Sequence, residues 1–287
     1  VRTGGAWAGV KSYEFLTESL DFTKNIKQSA GLRSGVRVAR SARRYIPTAE
    51  GTGDITLELQ DRQLGQLLQA AFGLATSVGI TGASPAYQQM FTIGNPATNG
   101  PVLRPSLTIQ KGIPNVISQA VEPVTFLGAT IDSFMLSFPN ADIATMKMTV
   151  NARDVDTTTP VVSPVSYVIT PTLFHFGQAN GQVCLLSNLT VPTSTTPTAT
   201  TGLAAVASPV ANVNIRSAEV QIDNKADQGR YNLGGSGRKS QPVAGMWDIK
   251  GKFTAEYTTT FFRDAYLNET PFSLVLTYTS PTLITGS

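Results

Sequence analysis

The chain has one histidine and one cysteine in 287 residues. Cys184, standing alone, can form no intrachain disulfide and no cysteine-based metal site. It reads as a small apolar side chain for a core. With His175 the only imidazole, most Ser/His/Asp, Cys/His and histidine-rich metal arrangements fall away. His175 lies in Leu173-Phe174-His175-Phe176, a setting that suits a strand residue better than a catalytic base. Charge is also scarce: 14% of residues, against about 25% in ordinary domains. Only two tryptophans are present, Trp7 and Trp247, few for a glycan-binding platform. No apolar run is long enough for a membrane helix, so no membrane partner is expected. The opening Val1-Arg2-Thr3-Gly4-Gly5 has no signal-peptide pattern, and its lack of an initiator Met implies that some residues precede it. No enzyme activity, cofactor or metal is expected.

The charge that is present is unevenly placed. Lys24, Lys27, Arg33, Arg37, Arg40, Arg43 and Arg44 fall between positions 24 and 49 with no acidic residue among them. Setting these seven aside leaves 15 basic against 19 acidic residues, so a body near −4 carries a cationic arm. The spacing of Arg33, Arg37, Arg40 and Arg43 would put them on one helix face. Gly31, Gly35 and the valines between them weaken a helix, and an extended loop is equally open. Such an arm could bind nucleic acid through phosphate alone, but Tyr45 is its only ring for base stacking. Pairing of the arginine forks with carboxylates on a neighbouring acidic body is the favoured reading.

Alternation with period two recurs along the chain and predicts half-buried antiparallel strands. In 54–60, Ile55, Leu57 and Leu59 alternate with Asp54, Thr56, Glu58 and Gln60. In 145–153, Met146, Met148 and Val150 alternate with Thr145, Lys147, Thr149 and Asn151. Further strands are predicted at 106–110, 134–138, 217–223, 247–258 and 272–278. One helix is predicted after Asp61 as N-cap, with a stripe of Leu64, Leu67, Leu68, Ala71 and Phe72 and a stop at Gly73. A weaker helix starts near Thr260. The stretches 74–104 and 190–202 read as poor in structure. Gly234-Gly235-Ser236-Gly237-Arg238-Lys239 lacks the Lys-Ser/Thr ending of a phosphate loop and reads as a mobile loop. Asp154-Val155-Asp156 has no calcium-loop spacing and reads as a solvated strand end.

An internal echo links the two halves. Ser41-Ala42-Arg43-Arg44-Tyr45-Ile46-Pro47 is similar to Ser236-Gly237-Arg238-Lys239-Ser240-Gln241-Pro242. Each lies between two strands, and each second strand is followed by a helical stripe and a further strand. Duplication and chance similarity in a Thr-rich β-protein both account for this. The fold class is mainly β, an antiparallel sandwich or barrel with one or two short helices.

Four segments together resemble the tail tube (major tail) proteins of siphophages: Ser12-Tyr13-Glu14-Phe15-Leu16-Thr17-Glu18-Ser19-Leu20, Gly31-Leu32-Arg33-Ser34-Gly35, Arg40-Ser41-Ala42-Arg43-Arg44 and Gly53-Asp54-Ile55-Thr56-Leu57-Glu58-Leu59. The strand at 217–224 is similar to the second half of the same family. The resemblance implies a β-sandwich whose inner sheet joins its neighbours into a continuous barrel, with rings stacked into a tube for DNA ejection. If the internal echo is a duplication, residues 1–121 form a first tube-like unit and 122–287 a second, packed as one body. Rings would be trimeric with pseudo-sixfold symmetry or hexameric. A long loop reaching the next ring makes Arg33, Arg37, Arg40, Arg43, Arg44, Arg238 and Lys239 candidate inter-subunit contacts.

A polar lumen is expected so that DNA slides without specific binding, with Asp54, Thr56, Glu58, Gln60, Thr145, Lys147, Thr149 and Asn151 as candidates. Tail tip, tape-measure and tail terminator proteins are the further expected partners. The expected location is the virion tail, after assembly in the host cytoplasm. A virion binding module for carbohydrate or receptor, and a DNA-binding protein using the arm, are the alternatives.

Overall fold

The computed structural model describes residues 2–3, 6–7, 10–31, 33–79, 87–93, 105–163, 165, 167–168, 171–191, 205–243 and 245–281. Its strands are, in order, β1 (Arg2–Thr3), β2 (Ala6–Trp7), β3 (Thr17–Glu18), β4 (Asp21–Gln28), β5 (Arg44–Glu58), β6 (Gly73–Gly79), β7 (Tyr87–Ile93), β8 (Leu107–Pro114) and β9 (Val121–Phe138). There follow β10 (Thr145–Ala152), β11 (Asp154–Asp156), β12 (Ala179–Leu185), β13 (Leu189–Thr190), β14 (Ala205–Val206), β15 (Ile215–Asp223), β16 (Asp248–Ala255) and β17 (Phe272–Tyr278). Among the described residues two α-helices accompany them, α1 (Gly65–Phe72) and α2 (Phe261–Leu267). The fold is mainly β and antiparallel, as the alternation requires.

A nine-stranded sheet forms the centre, ordered β16-β15-β9-β10-β5-β3, with β4 also on β5 and β8 and β11 on β9. Its apolar face follows from the phase of the alternation. Leu57, Met146, Leu136 and Val220 form one cross-strand row, and Ile55, Met148, Phe134 and Ile222 the next. α1 covers these rows, inserting Leu67, Ala70 and Ala71 into the core formed by Leu57, Leu59, Ile131, Phe134, Met146 and Met148. Each fully buried Leu or Ile contributes about 1.5–3 kcal/mol through lost water contact, so this stripe fixes the helix on the sheet. Gly73 ends the helix as expected, at φ 97°.

The helix start differs from the expectation. Asp61 does not cap it: its backbone N–H donates to the Thr172 carbonyl, and its Oδ1 accepts from the Thr172 N–H at 3.1 Å. The turn into the helix is made by Gln63 at φ 66°. The stretch 74–104 also differs in its described part, because β6 and β7 pair antiparallel there, with Gly73 opposite Ile93 and Gly79 opposite Tyr87; residues 80–86 and 94–104 lie outside the described residues. Its Thr, Ser and Gln side chains carry too little apolar contrast to announce a strand. The Thr/Pro-rich segment at 190–202 lies almost wholly outside the described residues.

β9 is 18 residues long, of which only the last five carry readable alternation. Its second half pairs with β10 and β15, and its first half with β8 and β11. The first half bends at Gly128, φ 61°, and carries β8 over a second core of Leu20, Phe126, Ala129, Val150 and Ala152. The Phe126 ring packs against Gly51, where a Cβ would come 2.9 Å from the ring. Lys111 of β8 ties this layer to the sheet margin through Glu18, at 3.2 Å. In this first half buried Thr125 and Thr130 stand among the apolar residues and Gly128 breaks the phase, so the period-two signal is lost there.

The division expected between 121 and 122 falls at the first residue of β9, and strands from both ranges share the central sheet. β12 and β17 form a separate pair. Tyr278 of β17 stacks on Phe138 and lies beside Phe174, while Phe272 joins Phe253, Phe261 and Phe262 in a ring cluster. Cys184 is buried within β12, in the small apolar role expected of it.

Candidate functional site

The register assembles the polar phases of five strands into one surface. Its first row is Glu58, Thr145, Ser137, Glu219 and Lys252. The second is Thr56, Lys147, Met135, Gln221 and Lys250, and the third Asp54, Thr149, Ser133, Asp223 and Asp248. Six of the eight residues expected on a polar face therefore lie side by side on it. β9, β15 and β16 supply nine more, readable as polar phases but unplaceable until register is known. The face holds five carboxylates and three lysines.

The charges on this face pair locally. Lys147 lies 2.8 Å from Asp54, Lys252 2.9 Å from Glu219 and Lys250 2.7 Å from Asp248. The hydrogen bond from Lys147, helped by that from Thr149, holds the Asp54 carboxyl below the usual carboxylate range. Lys225 does the same for Asp223, and Lys250 for Asp248. These acids stay ionised at neutral pH, and the surface keeps a mild negative excess with no large apolar group except Met135.

Two of the expected lumen residues lie elsewhere. Asn151 continues the polar phase, but the segment after β15 covers it, and its side chain donates to Gln228 Oε1. Gln60 is beyond the strand, in an isolated bridge to Leu173, and its amide donates to the Arg62 carbonyl.

The cationic arm is extended. β4 and the first half of β5 form a two-stranded ribbon, Asp21 opposite Thr52 and Gln28 opposite Arg44. At its tip a turn joins Arg33 to Val36 through Gly35 at φ 77°. The Gln28 amide donates to the Arg40 carbonyl at 2.9 Å, which holds the loop closed. Arg33, Arg37, Arg40, Arg43 and Arg44 are all exposed, and none makes an ion pair among the described residues.

Arg238 and Lys239, expected with them as contacts to another subunit, are engaged inside the chain. Arg238 pairs with Asp154 at 2.9 Å, and Lys239, 5% exposed, pairs with Glu50. Nor is their loop free. The Gly237 carbonyl accepts from the Ala49 N–H, and Tyr231 bridges Lys239 within the loop, so the segment is tied to β5 beyond the end of β10. Asp154–Asp156, expected as a solvated strand end, is β11 and pairs with β9.

Among the described residues the sheet stops without a partner on both sides. Among the described residues β16 pairs with β15 alone, and β3 and β4 pair with β5 alone. Open backbone edges are templates for another strand. A sheet with one closed apolar face, one open polar face, two free edges and a projecting cationic ribbon is a structural subunit made to join copies of itself. The chain matches the phage tail tube protein family model over residues 3–286 and belongs to that family. No curated protein matches it. Its role is structural, as a component of the tail tube of a phage virion.

Proposed function

We propose that the polar face lines the bore of the tube, and that β16 of one copy adds to the β3–β4 margin of the next to close the barrel. The observation that carries this is the three-row polar surface, continuous over five strands and bounded on both sides by edges unpaired among the described residues. Closing the sheet satisfies those edges. A mildly acidic wall repels phosphate and lets DNA pass without specific binding.

The chain carries two tube units in this reading. The first supplies β4, β5, β10 and β9, with α1 behind them. The second starts at β15, followed by a loop, β16, α2 and β17. The pairing of β9 with β15 is then the joint between units within one chain, and three chains complete a pseudo-sixfold ring. The arginines of the arm reach carboxylates of the adjacent ring. A tail tip and a terminator protein would bind the contacts left open at the tube's ends, and the tape-measure protein would lie in the bore. Assembly takes place in the host cytoplasm, ahead of virion release.

Electron microscopy of the purified protein at high concentration tests the reading. Tubes with threefold rings and Asp54, Lys147 and Glu219 on the bore are expected. A protein that stays monomeric even beside a tail initiator complex, or a polar face turned outward, overturns it. Sixfold rings of whole chains would remove the two-unit part alone.

A further inference from the structure

β5 and β9 run in the same direction, each antiparallel to β10 between them. Their first halves therefore overhang the same end of the sheet. One overhang is the cationic ribbon; the other is the β8–β9 hairpin. Its tip is apolar and fully offered to solvent: Val116 is 91% and Ile117 96% exposed, with Ile113 and Val121 on the stem. Exposed apolar pairs of this kind mark contacts with another protein.

The tip is also shaped in advance. Asn115 Oδ1 accepts from the N–H groups of Ile117 and Ser118, at 3.0 and 3.1 Å. The Asn115 N–H donates to the Ala120 carbonyl at 2.8 Å, its Nδ2 donates to Glu122, and Gln119 turns at φ 54°. A tip held this way loses little freedom on docking.

The opposite end of the sheet holds a matching surface. β16 leads there, since Phe253 lies across from Ala218 and Ala218 across from Phe138. Beyond it come Tyr257, 72% exposed, and α2 with Tyr266 at 84% and Leu267 at 68%. Phe272, opposite Leu185, continues the apolar ground. This end also carries Asp142, Glu256, Asp264 and Glu269 against Arg216 and Arg263, and so is acidic where the other end is basic. Two ends of opposite charge, each with an exposed apolar element, suit a head-to-tail contact that repeats without closing.

We propose that Val116 and Ile117 seat on the apolar surface around α2 of the copy in the next ring, an apolar plug acting beside the basic arm. This rests on the tube reading. The occupant is a second copy of this chain, because the charge of each end complements the other and not itself.

The experiment is assembly of Val116→Asp/Ile117→Asp, scored by sedimentation and electron microscopy beside the wild-type chain. Both side chains are at a solvated tip, so the monomer's unfolding curve stays unchanged. Rings that do not stack, or an assembly threshold raised at least roughly tenfold, are expected. Val116→Ser/Ile117→Ser, which adds no charge, moves the threshold the same way by less. In tubes of an Ile117→Cys/Tyr266→Cys variant, oxidation yields a covalent ladder that neither single variant yields.

Three outcomes overturn the plug while leaving the tube standing. They are tubes of the Asp variant at the wild-type threshold, failure of that variant to form rings at all, and assembled double-cysteine tubes without a ladder. A wild-type chain that forms no tube overturns the underlying reading instead.

Discussion

The ammonium of Lys239 is buried against the carboxylate of Glu50, joining the second basic loop to the root of the cationic ribbon. Lys239 also lies 5.8 Å above the ring of Tyr231. The two segments that echo each other in sequence are thus neighbours within one chain. Removing the ammonium leaves Glu50 half-buried without its partner. Lys239→Ala is expected to cost about 2–3 kcal/mol, below the full cost of breaking a wholly buried pair because Glu50 keeps some solvent. Urea unfolding of the monomer measures it, and Lys239→Ala/Glu50→Gln should recover part of the loss.

Gly237 makes the second contact of the same junction. Its φ of 74° suits glycine, and a Cβ there would come 2.5 Å from the Pro47 carbonyl oxygen. Gly237→Ala must move the loop off β5, at a cost of about 1–3 kcal/mol. The Ala49 amide, which donates to Gly237, should then exchange with solvent about tenfold faster or more, each tenfold being roughly 1.4 kcal/mol. Unchanged exchange at Ala49 would mean that the loop does not brace the ribbon.

These two contacts show where sequence reading reaches and where it stops. β5 and β10 were legible because one face of each is buried and the other wet, so Leu57 and Met146 fall in phase with the core and Thr56 and Lys147 out of it. Which strands share a face depends on register, and the pairing of Lys147 with Met135 and of Met135 with Gln221 is not written locally. Asn151 has the same alternation as Thr149, yet Gln228, 77 residues away, covers it. Lys239 resembles the arm's arginines in composition and differs only because Glu50 meets it in space. The first half of β9 was illegible for another reason, since buried Thr125 and Thr130 and the break at Gly128 blur the contrast that marks a strand.

Gln63 is a position where one substitution should stabilise the fold. It adopts φ 66° ahead of α1, and its buried Oε1 has no hydrogen-bond partner among the described residues. Glycine adopts that conformation without strain and removes the orphan acceptor. Gln63→Gly should raise stability by about 0.5–1 kcal/mol despite glycine's greater freedom when unfolded. A rise in thermal midpoint checks it; a fall would place the side chain's packing above its strain.

Alkaline stability should depend on Tyr13. Its hydroxyl donates to the Gln63 carbonyl at 2.9 Å, and burial pushes its pKa from 10.0 up to about 12. Below pH 10 the ring is neutral folded and unfolded, and it adds no pH dependence. Between pH 10 and about 12 the unfolded chain loses this proton and the folded chain keeps it, so stability falls as pH rises. Tyr13→Phe should cost about 1 kcal/mol at neutral pH through the lost hydrogen bond. It should also flatten the decline above pH 10, as followed by denaturant unfolding over that range.

The arm separates assembly from folding. Arg37 and Arg40 are exposed and without an ion pair among the described residues, so Arg37→Glu/Arg40→Glu should move monomer stability by no more than about 0.5 kcal/mol. In the proposed stacking they face carboxylates of the next ring, where two reversals convert attraction into repulsion. Stacking should be lost while lateral contacts along β16 and β3 survive, leaving isolated rings in electron micrographs. Salt offers an independent reading. Screening shortens these interactions to about 8 Å at 0.15 M and about 3 Å at 1 M, so wild-type tubes should shorten as salt rises while rings persist. The apolar plug of Val116 and Ile117 is not screened in this way. If the charge reversals leave tube length and its salt dependence unchanged, the arm is not a stacking element, and the apolar contact alone must join the rings.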